Sequence, residues 1–199
     1  FSNITKGTEI LYADDSKPKK LGFFIAINKK ENFIIISFRG SSNIENWLTN
    51  IDESLLNVDN IYKTKNAFIH RGFFENVFNN EVYFKIEREL SNIQKQYPNF
   101  KIIFTGHSLG GCSSNLAASL FSVRQKIKPE KIICYNFASP RFCNKSLSEK
   151  IDKLFLSFRI TNLKDKITQV PSIEKFYHTK NEYYYTGNNE IIKTNTLNN

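Results

Sequence analysis

Between Lys101 and Ala117 the chain reads KIIFTGHSLGGCSSNLA. Apolar Ile102 to Phe104 lead into Gly106-His107-Ser108-Leu109-Gly110-Gly111, and small residues interleaved with apolar ones follow. This is the pattern Gly-x-Ser-x-Gly, set between a strand and a helix. A serine there sits at the tip of an abrupt turn, where bulky flanking side chains would collide with the strand or the helix; hence Gly106 and Gly110. The first amides of the following helix point at the serine oxygen, or at an oxyanion formed beside it. The chemistry that suits this arrangement is nucleophilic attack on a carbonyl carbon by Ser108.

A serine nucleophile needs a base, and the base needs a carboxylate to orient it. The chain has three histidines. His107 adjoins the nucleophile, and a strand entering a turn sends adjacent side chains to different sides. His70 precedes the elbow. His178 alone follows Ser108, and sheet enzymes with this turn run in the order Ser, Asp or Glu, His. His178 is therefore the expected base. Of the two aspartates between Ser108 and His178, Asp152 falls in a polar helix and Asp165 in a loop just past a strand. Loops beyond strand C-termini are where α/β sites form, so Asp165 is the expected acid. The expected oxyanion donors are the backbone N–H of Leu109 and Ser41, which ends an apolar strand.

Those residues must be carried by strands and helices, and the chain supplies them in a recognisable order. Residues 21–27 (LGFFIAI) and 33–38 (FIIISF) read as two strands around the polar turn 28–32. The second is apolar throughout, as in a strand covered on both faces. Residues 73–97 have largely helical apolar spacing and stop at Pro98, which predicts one long amphipathic helix. Apolar strands follow at 131–138 and 155–161, with a short helix at 146–154 between them. Residues 183–186 and 191–194 flank Gly187-Asn188-Asn189, a hairpin signal. Segment 1–12 is mixed, a helix or an extended arm, and 55–69 is irregular or weakly β. Alternating strands and helices predict a mixed sheet, parallel in its middle, with helices on both faces. In segment 43–52, Ile44, Trp47, Leu48 and Ile51 fall at helical spacing. By spacing they form the core-facing side of a short helix; a lid over a cleft is the other reading.

A length of 199 residues with 40% hydrophobic and 24% charged content suits one α/β domain spanning 1–199. No apolar run is long enough to cross a membrane. The net charge of +9 could serve nucleic acid or an anionic lipid surface. No zinc-finger, RNA-binding or helix-turn-helix pattern accompanies it, so no nucleic-acid partner is expected. The three cysteines, Cys112, Cys134 and Cys143, match no metal spacing. No metal and no cofactor is expected.

Six ordered segments together resemble the class 3 lipases, the fungal triacylglycerol lipase group of the α/β-hydrolases. They are Phe38-Arg39-Gly40-Ser41-Ser42 with Asn46-Trp47-Leu48; Ile69-His70-Arg71-Gly72-Phe73; the turn at Gly106–Gly111; Phe137-Ala138-Ser139-Pro140-Arg141; Arg159-Ile160-Thr161-Asn162 with Asp165 and Pro171; and Tyr177-His178 with Glu182-Tyr183-Tyr184. Ala138 stands where the family has glycine, and the family's N-terminal part looks shortened. The resemblance spans roughly residues 21 to 186 and implies an α/β-hydrolase fold, with Ser108, Asp165 and His178 as the triad and Ser41 and Leu109 as the oxyanion hole. It also favours the lid reading of 43–52, with Ile44, Trp47 and Leu48 facing lipid. It implies an ester hydrolase acting on acylglycerols, or on phospholipids, at a lipid–water interface. The enzyme would dock peripherally as a monomer, and be secreted if a leader has been removed or cytoplasmic otherwise. A phospholipase A1 or soluble esterase of the same fold is the alternative within the enzyme class. Outside it stands a lipase-like scaffold that binds lipid or protein without catalysis.

Overall fold

The computed structural model describes residues 6–15, 21–41, 53–78, 81–162, 165–188 and 190–195. The predicted helix at 43–52, with Ile44, Trp47 and Leu48, lies outside the described residues. An eight-stranded sheet runs in the order β1-β2-β3-β6-β7-β8-β9-β10. Its strands are β1 (Thr8–Asp14), β2 (Phe23–Asn28), β3 (Phe33–Phe38), β6 (Lys101–His107), β7 (Ile132–Phe137), β8 (Leu156–Asn162), β9 (Asn181–Tyr185) and β10 (Ile191–Asn195). The five strands from β3 to β9 are parallel, and β1, β2 and β10 add antiparallel edges. The extended reading of the first residues holds for β1.

Two differences from the sequence expectation have local causes. The long helix expected over 73–97 is two: α2 (Arg71–Val77) and α3 (Val82–Gln96). Glu81 takes a left-handed backbone at φ 63°, which no α-helix passes through. His70 also starts α2 earlier than the apolar spacing does, because its Nδ1 accepts the Phe73 N–H. The weakly β stretch contains a small antiparallel pair, β4 (Leu55–Asn57) with β5 (Phe68–His70), around the single turn α1 (Asp59–Tyr62).

Helix α4 (Leu109–Gln125) fills the centre. It is buried from Gly110 to Ser122, and its small residues let it lie close to β3, β6 and β7. Three of its buried hydroxyls donate within the helix, Ser113 to Leu109 O (2.8 Å), Ser114 to Gly111 O (2.7 Å) and Ser119 to Leu116 O (2.8 Å), and Ser122 donates to Leu154 O (3.3 Å). Helix α3 turns Val82, Tyr83, Ile86 and Leu90 inward, and α5 (Lys145–Ile151) adds Leu147 and Ile151. These helices pack on the face formed by Ile34, Ile36, Ile102, Phe104, Ile132 and Cys134. Helices were expected on both faces. On the opposite face the described residues leave Tyr135, Phe137 and Leu156 37–49% exposed. All three cysteines are buried and free, and burial pushes the Cys134 thiol up to about 12. They act as small core residues.

Candidate active site

Ser108 lies between β6 and α4, at φ 55° and ψ −124°. This sparsely populated conformation costs a non-glycine residue about 1–3 kcal/mol, and the surrounding structure has to impose it. The neighbours that impose it are glycines. A Cβ on Gly106 would lie 2.3 Å from Gly110 O, and one on Gly110 would lie 2.5 Å from Phe38 O. A Cβ on Gly40 would meet His107 O at 2.9 Å, so the turn after β3 is pressed against the elbow. The turn is pinned by Ser108 N donating to Phe137 O (2.9 Å) and Gly111 N donating to Ser108 O (2.8 Å). Ser108 Oγ is buried and has no hydrogen-bond partner among the described residues. His107 points the other way and is exposed, as strand alternation predicts.

Leu109 is the first residue of α4, and the leading amides of a helix have no partner within it. Ser41 follows the end of β3, which is parallel to β6 and beside it. Both expected oxyanion donors thus stand at the same sheet edge as Ser108.

Asp165 lies past the C-terminus of β8, and β7 alone separates β8 from β6. It caps the 3-10 turn Lys166–Gln169, its Oδ1 accepting the Ile167 N–H (3.0 Å). Its Oδ2 has no partner among the described residues. Asp152, the other aspartate considered, has a structural role: it accepts the Lys180 N–H (3.0 Å).

The sequence makes His178 the base; among the described residues its ring is engaged with the acid turn. Its Nε2 lies 2.8 Å from Thr168 O. A carbonyl only accepts, so Nε2 carries the proton and donates. Burial, then the nearby positive charge of Arg159 and that of Arg141, holds the ring well below the usual imidazole value, against the opposing pull of the Thr168 carbonyl. His178 is a neutral donor in the fold. His70 is no substitute: it is buried, stacked on Phe73 at 4.1 Å and near Phe176 at 5.4 Å.

Residues quoted above as separate motifs converge. Arg159 on β8 pairs with Glu182 on β9 at 2.6 Å, Arg159 being only 3% exposed. Thr161 and Thr194 also donate to Glu182, at 3.0 and 2.7 Å. The resulting network ties β8, β9 and β10 together behind the acid turn. Sequence reasoning named Arg141 within a motif but gave it no role. Its guanidinium donates to Gln169 O and to Pro171 O (3.0 Å), and its N–H to Val170 O (2.8 Å). The signal was an arginine placed after a Pro-broken strand. Ala138 adopts φ 51°, which accounts for glycine in the family pattern at this position.

Residues 35–175 match the family Lipase (class 3). A secreted mono- and diacylglycerol lipase of Fusarium solani is 30% identical over 169 residues, 84% of this chain and 48% of that protein. A lipase of Rhizomucor miehei is 29% identical over 167 residues, 82% of this chain and 45% of that protein. Among solved structures, a Rhizomucor miehei lipase–propeptide complex superposes with a TM-score of 0.83 at 24% identity, covering 95% of this chain and 60% of that one. An MDLA variant from Penicillium cyclopium gives 0.82 at 26%, covering 96% and 72%. The chain spans about half the length of the relatives it matches by sequence. The fold is that of the α/β-hydrolases.

Proposed function

The chain belongs to the class 3 lipase family, and on that premise we propose that the protein is a serine hydrolase of carboxylic esters in acylglycerols. The observation that carries the reading is Ser108, held in strain at the elbow with a buried Oγ that has no partner among the described residues. Ser108 attacks the ester carbonyl. The backbone N–H of Leu109 and the donors of Ser41 meet the oxyanion, each such donor contributing about 3 kcal/mol to lowering the barrier. The tetrahedral intermediate collapses to an acyl-enzyme as the alcohol leaves, and water releases the acid. Asp165, through its open Oδ2, orients the imidazole that takes the Ser108 proton. Because the His178 ring donates to Thr168 O, the base is left unassigned.

Relatives named mono- and diacylglycerol lipases support acylglycerols as the substrate class, and the word secreted in those names supports secretion. The apolar spacing of Ile44, Trp47 and Leu48 supports a lid over 43–52 that opens on lipid, and the +9 charge supports docking on anionic surfaces. The test is hydrolysis of emulsified diacylglycerol and triacylglycerol and of soluble p-nitrophenyl esters by wild type and Ser108→Ala. The expected result is activity that rises once substrate forms an interface and falls about 10⁴-fold or more in the variant. Equal turnover by the variant overturns the assignment of Ser108. Activity without an interfacial rise removes the lid.

A further inference from the structure

We propose that His178 is a positioning residue, a neutral imidazole latch that holds the turn carrying Asp165. The inference deepens the function proposed above and rests on it for the role of Asp165.

The argument starts from the carbonyls of the acid turn. Four in succession have donors from outside it. Thr168 O accepts from His178 Nε2 (2.8 Å), Gln169 O from the Arg141 guanidinium, Val170 O from Arg141 N (2.8 Å), and Pro171 O from the same guanidinium (3.0 Å). Within the turn, Thr168 Oγ1 donates to Asp165 O (2.9 Å) and Val170 N to Ile167 O (3.3 Å). Thr168 is therefore the joint: its side chain holds the backbone of Asp165, and its carbonyl is held by His178.

The latch is itself anchored. Ser148 Oγ on α5 donates to His178 O (2.6 Å), and Tyr177 N to Cys143 O (2.6 Å). The ring is thereby fixed between α5 and the acid turn. The charges near it are Arg159, whose partner is Glu182, and Arg141. A cation on His178 would add a third positive charge to a half-buried site, which burial and both arginines oppose. A general base must accept a proton in every turnover. The bond to the Thr168 carbonyl favours the charged form, but burial and the two cations outweigh it, so the ring stays neutral with its Nε2–H committed to Thr168 O.

The experiment compares wild type, His178→Gln and His178→Phe. A glutamine amide can replace the Nε2–H donor; phenylalanine keeps the ring and loses the bond. The latch predicts that His178→Gln stays within about 3-fold of wild-type kcat, while His178→Phe loses about 10-fold in kcat at unchanged KM, the size of one lost neutral hydrogen bond. A loss of about 10³-fold or more in both variants marks His178 as the base and overturns the proposal. A second readout needs no activity. Nitrogen-15 NMR of the wild-type imidazole is expected to give the Nε2–H tautomer with no titration between pH 8 and 5.5. A Nδ1–H tautomer, or titration near pH 6.5, overturns the latch. Absence of hydrolysis in the wild type would fail the function proposed for the site, while the spectrum would still decide the state of His178.

Discussion

The turn at Ser108 and the turn at Asp165 stand at the same edge of the sheet, past the ends of β6 and β8, but different parts of the chain hold them. The Ser108 turn is shaped at close quarters. Gly106, Gly110 and Gly40 let backbones approach to distances that any side chain would block, and helix α4 begins at the next residue. The Asp165 turn has few bonds of its own. It is held by Arg141, from beyond β7, and by His178, which follows it in the chain and is anchored to α5. The nucleophile is thus placed mainly by steric exclusion, among its own neighbours and against the end of β3, and the acid by hydrogen bonds gathered from distant segments. The first kind of site cannot tolerate added atoms, and the second cannot tolerate lost donors.

Gly106→Ala should break that comparison most severely. The new Cβ would sit 2.3 Å from a backbone oxygen, which no rotamer change relieves. The expected outcome is a loss of about 3 kcal/mol or more in urea unfolding together with loss of ester hydrolysis. Full activity in this variant would mean that the elbow is not sterically set. Arg141→Lys comes next. One guanidinium nitrogen, Nη1, serves both carbonyls of Gln169 and Pro171, and a lysine ammonium ends about where the Arg141 Cζ lies, one bond short of it. We expect about 2 kcal/mol less stability and about 10-fold lower kcat, measured by denaturation and ester turnover. Unchanged kcat would show an acid turn that supports itself. The smallest effect belongs to Ala138→Gly, between the two turns. Relief of the left-handed backbone, worth about 1–2 kcal/mol, is partly offset by the flexibility of glycine. A net gain of about 0.5 kcal/mol is expected, a rise in Tm of about 1–2 °C for a chain of this size. A fall in Tm would mean that the Ala138 methyl packs better than its backbone is strained.

The same contrast explains what could be read in advance. The elbow was legible because its determinants are neighbours: strand, glycine, serine, glycine and helix lie within a dozen residues. The parallel order of the central strands was legible from their apolar runs and the helices between them. The break between α2 and α3 was not, because one left-handed residue, Glu81, decides it and glutamate carries no turn signature. The ring contacts of His178 were not legible for a related reason. Its place in the order Ser, Asp, His satisfied a rule about sequence, whereas the contacts of its ring depend on how Thr168, Arg141, Arg159 and α5 fold around it.

The sequence by itself determined the family, the sheet that bears the site and the serine at the elbow, since each follows from local periodicity or from residues too small to be replaced. Only the tertiary structure decided which polar groups meet. It paired Arg159 with Glu182, clamped the acid turn with Arg141, and gave the imidazole of His178 to the Thr168 carbonyl. The physical reason is that a hydrogen bond across a fold is set by distance and direction between segments far apart in the chain, and no spacing rule along the sequence records either.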